Sequence, residues 1–226
     1  MLILTTVLSL ILTIISFYDG ARYLKYRFVP SMSTFESLTA ENSKLKKFDD
    51  SRLVVAFSTT PERVGKIAPM LKSLLDQTVK IDSIEINVAP SSATTLEENF
   101  PKQCESFLST FKAGKDWGAA TKIIPTILRE TESDTRIIYL SDKYIYGKDF
   151  VESLLEESAK TPNAAIITTD SFNSDNGAIL VKPGFFNSSV IDSVIDADVK
   201  FKDDSWLNDY LTCETRPYKY IGNFRY

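Results

Sequence analysis

From Arg52 onward, short apolar runs alternate with amphipathic segments, and that alternation admits few folds. "RLVVAFSTT" (52–60) is an apolar strand that ends in small hydroxyl residues before Pro61. In "ERVGKIAPMLKSLLDQT" (62–78) the apolar positions Val64, Ile67, Met70, Leu71, Leu74 and Leu75 recur as on one face of a helix. "IDSIEINVAP" (81–90) alternates apolar and polar residues and stops at Pro90, which reads as a second strand. The pattern then predicts a helix around 95–111, another from about Ala119, the strand "RIIYL", the helix "KDFVESLLEESAK", and the strands "AAIITT" and "GAILVKPG". A helix near 187–196, the helix "DDSWLNDYLT" and a last strand in "YKYIG" complete it. Strands and helices alternating at this spacing predict an α/β fold, a mostly parallel Rossmann-like sheet with helices on both faces. Ligands of such sheets sit beyond the carboxyl ends of the strands, near the switch point.

Residues 2–18, "LILTTVLSLILTIISFY", carry no charge, Pro or Gly and are apolar on every face. That length lies at the short end of what crosses a bilayer as a helix. No basic segment precedes it, and Asp19 spoils a small-residue cleavage site. The expectation is an uncleaved, single-pass transmembrane signal anchor over 1–20, then a stem over 21–50 with a short helix around Ser43–Lys47, and one domain over 51–226. Arg22, Lys25 and Arg27 follow the apolar run, so the charge rule puts the domain on the cytoplasmic side, with a lumenal orientation as the alternative.

Charge and residue types narrow the chemistry. A net charge of −4 gives no electrostatic case for nucleic acid. The chain has no histidine, which removes Ser-His-Asp and Cys-His nucleophiles, His general bases and His-ligated zinc together. Cys104 and Cys213 are far apart and lack the spacing of a metal or redox pair. Carboxylates, Lys, Tyr, Cys or a bound metal must do any chemistry.

The switch-point rule selects Ser58–Arg63, Asp116–Lys122 and Ser141–Lys143. Hydroxyls and an arginine at the first strand end suit an anionic ligand, while Thr60-Pro61 equally suits the start of a helix. Lys122, in the first turn of a helix, opposes the helix dipole unless a phosphate binds nearby; a solvated lysine is the plainer reading. Asp203 and Asp204 stand at a helix start, where acids are stabilised, and one of them is a natural general base in a chain without histidine.

Taken in order, "VVAFSTTPERVGKIAPMLKSLLDQT", "IDSIEINVA", "DWGAATKIIPTILRE", "RIIYLSDKYIYGKDFVESLLE" and "FKDDSWLNDYL" resemble a glycosyltransferase family 2-like group of GT-A fold enzymes, found in bacteria and large DNA viruses of algae. The resemblance covers about residues 52–212. It implies transfer of a sugar from a nucleotide-diphosphate donor, most simply a UDP-sugar, to a glycan, lipid or protein acceptor. It assigns Ser58, Thr59, Thr60 and Arg63 to the nucleoside pocket, and Asp116 and Lys122 to the base and diphosphate. Asp204, or its neighbour Asp203, becomes the base that deprotonates the acceptor hydroxyl. The group's acidic Asp-Asp-Asp turn, which binds ribose and a divalent cation, aligns with Ser141, Asp142 and Lys143.

Only the middle acid of that turn survives. Mg²⁺ and Mn²⁺ need oxygen ligands, and Lys143 supplies none. Three readings stay open: a metal-independent transferase in which Lys143 replaces the cation, a weak metal site through Asp142 and another acid, or an inactive, membrane-tethered binding protein that keeps the fold. A nucleotidyltransferase fits less well, since a glycine-rich basic loop is expected near the start and "FSTTPERVGK" has only Gly65.

Overall fold

The computed structural model describes residues 33–100, 102–168, 177–187, 205–213 and 217–221. The anchor expected over 1–20, most of the helix expected near 187–196, and Asp203 and Asp204 lie outside these residues. Among the described residues, no helix is long and apolar enough to cross a membrane.

Helix α1 (Phe35–Lys44) begins at Thr34, whose hydroxyl accepts the Ser37 N–H at 3.2 Å. Phe35 and Leu38 are buried, Phe35 stacks on Phe107, and Asn42 Nδ2 donates to the Leu75 carbonyl at 3.4 Å. Part of the expected stem is therefore core, and its helix lies N-terminal to the stretch that suggested one. The short apolar side of α1 needs a partner to be stable at this length, and the domain provides it.

Strand β1 (Leu53–Phe57) follows, then a 3₁₀ turn at Val64–Lys66 and helix α2 (Ala68–Leu75). The periodicity predicted one helix from residue 62. All six of its apolar positions are buried, but the helix restarts because Pro69 has no N–H to give a preceding turn. Strand β2 (Ser83–Val88), helix α3 (Ala93–Asn99) and strand β3 (Leu108–Lys112) come next. The helix expected over 95–111 is thus a short helix, a 3₁₀ turn at Lys102–Cys104 and an unforeseen strand. In β3 only Leu108 is buried, so an edge strand with no apolar alternation left no periodic signal.

A 3₁₀ turn at Ala119–Lys122 leads into α4 (Ile124–Arg129), then β4 (Arg136–Leu140), α5 (Phe150–Lys160), β5 (Ala165–Ile167), β6 (Ala178–Val181), α6 (Ser205–Cys213) and β7 (Tyr218–Tyr220). The described strands form a seven-stranded sheet in the order β3-β2-β1-β4-β6-β5-β7. β1 pairs in parallel with both β2 and β4, and β2 with β3. β6 runs against both β4 and β5, and β7 is parallel to β5. The sheet is mostly parallel, as the alternation predicted, with β6 as the reversed strand.

Both faces are covered, which is why β1 and β4 are buried at every position. Val55, Phe57, Ile84, Ile86, Ile138 and Leu140 pack with α1, α2, α3 and α5. Ala56, Ile137, Tyr139, Ile167 and Ile179 pack with α4 and α6 on the other face. The polar alternate positions of β2 are not solvated: Glu85 and Asn87 are buried beneath α4. Cys104 is a buried free thiol, pushed up to about 11 by burial. The chain passes from β1 outward to β2 and β3, then returns to place β4 on the other side of β1. The switch point therefore lies between the carboxyl ends of β1 and β4.

Candidate functional site

Two of the three selected segments meet at that switch point. The pairing of Ala56 with Tyr139 brings Ser58 and Ser141, two residues further along each strand, to one level. Thr59 Oγ1 donates to Asp142 Oδ2 at 2.5 Å, and Arg63 Nε donates to the same oxygen at 2.9 Å. Arg63 Nη2 also donates to the Asp142 carbonyl at 3.1 Å. One arginine thus grips both the side chain and the backbone of the surviving acid. Asp142 is buried, whereas Arg63 keeps 34% of its side chain exposed. Such a charge-assisted fork fixes geometry as well as neutralising charge.

The remaining residues of these segments take distinct places. The Thr60 carbonyl accepts the N–H groups of Arg63 and Val64, which turns the chain after β1. Thr60 is exposed, and its hydroxyl bonds to Glu62, holding that carboxyl below its usual range. It opens a turn rather than capping an α-helix. Ser141 is buried, and its hydroxyl accepts the Lys143 N–H at 3.3 Å. Lys143 itself is exposed at the rim.

The segment at 116–122 is held by its own hydrogen bonds. Asp116 Oδ1 accepts the Gly118 N–H at 2.9 Å, and Thr121 Oγ1 accepts the Trp117 N–H at 3.0 Å. Gly118 has φ 64, a left-handed geometry that glycine adopts without strain. Lys122 closes a 3₁₀ turn instead of opening an α-helix, and it is buried rather than solvated. Its carbonyl accepts from Asn87 Nδ2 at 3.0 Å, and its ammonium lies 5.9 Å from the centre of the Tyr139 ring. Lys122 therefore reaches from the β2 side of the sheet to β4. Asp203 and Asp204 lie outside the described residues, but α6 begins directly after them. Its Trp206 packs against the cluster of Ala113, Trp117, Ala120 and Ile124.

Whether the turn suits a hard dication follows from its donor atoms. Asp142 Oδ2 already accepts from Thr59 and Arg63, and Lys143 offers no lone pair as an ammonium. No group of three or more Cys, Asp or Glu residues is assembled among the described residues. Within the Ser141–Lys143 turn a single carboxylate, that of Asp142, is left to meet a hard dication.

Some residues behind the turn gave no signal in the sequence. Tyr146 Oη donates to the Ser141 carbonyl at 2.8 Å, and the Tyr146 N–H donates to Ser73 Oγ at 3.0 Å. Gln77 Nε2 donates to the Gly147 carbonyl at 2.8 Å, while its Oε1 accepts the Val151 N–H at 2.9 Å. The bonds of Ser73 and Gln77 to the 146–151 stretch join residues 70 or more apart in the chain, a separation no local pattern reports.

No protein-family model matches the chain, and no curated protein matches its sequence. Solved structures do share its fold. One is the 4-diphosphocytidyl-2C-methyl-D-erythritol synthase of Anaerococcus prevotii, with TM-score 0.55 and 9% identity over 79% of this chain and 91% of that one. HddC of Yersinia pseudotuberculosis, complexed with GMP-PN, has TM-score 0.52 and 11% identity over 76% and 90% of the two chains. The mannosyltransferase PcManGT of Pyrobaculum calidifontis, in complex with GDP-Man and Mn²⁺, has TM-score 0.51 and 10% identity over 90% and 67%. At such identities the likeness is one of fold, a GT-A-like mixed α/β sheet.

Proposed function

We propose that the chain is a glycosyltransferase that takes its sugar from a nucleotide-diphosphate donor, most simply a UDP-sugar. The observation that carries this reading is the Thr59–Arg63–Asp142 cluster at the β1–β4 switch point. The transferases and nucleotide complexes that share the fold support the same class. In this reading Ser58, Thr59, Thr60 and Arg63 line the nucleoside side, with Asp116 flanking the base. Asp142, held by Arg63, faces the ribose, and Lys122 and Lys143 face the diphosphate.

The reaction is a displacement at the anomeric carbon. The acceptor oxygen forms a bond to that carbon while the bond to the diphosphate oxygen breaks. Asp204, or Asp203, takes the acceptor proton, and the ammonium of Lys143 offsets the charge that develops on the leaving diphosphate. No step here runs through a metal. The apolar run at 2–18 would tether the domain to a membrane, cytoplasmic by the charge rule and lumenal in the alternative orientation.

One feature favours a second reading, an inactive membrane-tethered binding protein. The only acid left in the turn has an oxygen already occupied by Arg63 and Thr59. Calorimetric titration of the full chain with UDP, GDP and uridine, in Mn²⁺ and in EDTA, separates the two. The expected result is UDP or GDP binding whose affinity in EDTA lies within about 2-fold of that in Mn²⁺, as a fixed ammonium in place of the cation requires. Binding seen only with Mn²⁺ would overturn the metal-independent reading. No binding in either buffer would support the inactive protein.

The role of Lys143 is tested in the same titration. Lys143→Ala should weaken UDP binding by about 10-fold or more, the scale of a lost charge-assisted hydrogen bond, and leave uridine affinity unchanged. Equal losses for UDP and uridine would remove Lys143 from the diphosphate.

A further inference from the structure

We infer that Tyr146, backed by Ser73 and Gln77, is a positioning residue that holds the Ser141–Asp142–Lys143 turn in its donor-binding shape without a cation. The inference rests on the donor-site reading above and adds the device that organises the site.

Residues 141–149 form neither strand nor helix. Ordering each such residue costs on the order of 1 kcal/mol of backbone entropy, so a turn of fixed shape needs fastenings. Tyr146 Oη reaches back to the Ser141 carbonyl and closes the segment that carries Asp142 and Lys143 into a loop. The base of that loop is tied to the helix beside it. The Tyr146 N–H donates to Ser73 Oγ, and the Ser73 hydroxyl in turn donates to the Met70 carbonyl at 2.6 Å. Gln77 spans the far end: its amide nitrogen donates to the carbonyls of Ser73 and Gly147, and its oxygen accepts the first free N–H of α5, that of Val151. The Thr78 N–H donates to the Lys148 carbonyl at 3.0 Å.

Tyr146, Ser73 and Gln77 are each at most 2% exposed. Buried polar groups that are fully paired make a network rigid, and an interrupted one costs more than a single bond in water. The Tyr146 ring also packs on Phe150, with centroids 4.6 Å apart. Asp142 is thus braced from two sides. Thr59 and Arg63 hold it from the β1 side, and Tyr146 holds the backbone it hangs from to α2. Shells of this kind orient the groups that touch ligand, and their loss is felt as lost affinity.

The test removes one atom. Tyr146→Phe deletes the hydroxyl and keeps the ring against Phe150. The full chain and its variants are titrated with UDP and with GDP in EDTA at 15 °C, where circular dichroism establishes that each is folded. Lost stability then cannot register as lost affinity. Tyr146→Phe should bind about 5- to 10-fold more weakly, the range of one lost internal hydrogen bond. In a background carrying Asp142→Ala and Lys143→Ala the same change should have less than about a 2-fold effect, because the groups it positions are gone. Ser73→Ala is the second variant, with the same expected pattern, should Tyr146→Phe not fold. Unchanged affinity in the single variant overturns the inference, and so does an equal loss in both backgrounds. Binding by the unaltered chain only when Mn²⁺ replaces EDTA overturns the inference that the turn is held without a cation; if the chain binds neither nucleotide in either buffer, the donor reading itself fails and this inference falls with it.

Discussion

Asp204→Asn is expected to lower nucleotide release from UDP-hexoses by about 10²- to 10⁴-fold, the contribution of a positioned general base, while donor affinity stays within about 2-fold. The chain has no histidine, so a base near neutral pH has to be a carboxylate or a neutral Lys, Tyr or Cys. Cys104 is buried with its thiol pushed up to about 11, which leaves it protonated. A carboxylate is ionised at pH 7, and it becomes effective as the acceptor oxygen grows acidic while bonding to the anomeric carbon. Asn keeps the size of Asp but is a neutral amide, far too weak a base to take the proton. The α6 helix that starts after Asp204 packs through Trp206 onto the Trp117 cluster, in the segment that carries Asp116 and Lys122. Asp203→Asn is the matched control. Full turnover in Asp204→Asn, with loss in Asp203→Asn, would move the role to Asp203; full turnover in both would remove the base from this pair.

What the sequence shows and what it hides divide along the range of the interaction. Runs such as "LVVAF", "RIIYL" and "AILV" announced buried strands because a sheet covered on both faces needs apolar residues at every position. The amphipathic stripe of α2 was equally plain. Strand β3 was not, because an edge strand with one buried residue carries no period. Phe35 and Leu38 gave no hint of α1, since a stripe so narrow is helical only through its partners. At the candidate site, Ser58, Thr59, Arg63 and Asp142 were singled out by their place at strand ends, which topology alone decides. That Arg63 clasps Asp142, 79 residues away, depends on register and could not be read from spacing. The plainer reading of Lys122 as a solvated lysine at a helix start failed for the same reason. Its burial follows from crossing the sheet toward Tyr139, a contact that no local pattern encodes.

Arg129→Met is expected to lower the stability of the domain by about 2–3 kcal/mol, which for a domain of this size is a fall of about 5–10 °C in Tm. The reason is a buried polar network under α4. Arg129 Nη2 donates to Glu85 Oε2 at 2.6 Å and to Asn87 Oδ1 at 3.0 Å. Thr126 Oγ1 donates to Glu85 Oε2 at 3.1 Å, and Asn87 Nδ2 donates to Thr126 Oγ1 at 2.8 Å. The side chain of Glu85 is 3% exposed, so removing Arg129 strands a carboxylate away from water. A fully buried pair broken in this way costs about 3–5 kcal/mol, and the 30% exposure of Arg129 reduces that. Met keeps the apolar stem but loses the guanidinium, whose carbon lies 3.5 Å from the centre of the Phe111 ring, so a smaller part of the fall, about 0.5–1 kcal/mol, is lost stacking. Adding Glu85→Gln to Arg129→Met should restore more than half of the loss, because the stranded charge is then gone. Chemical denaturation of the two variants decides the cause: if the double variant is no more stable than Arg129→Met, lost packing rather than an unpaired carboxylate explains the fall.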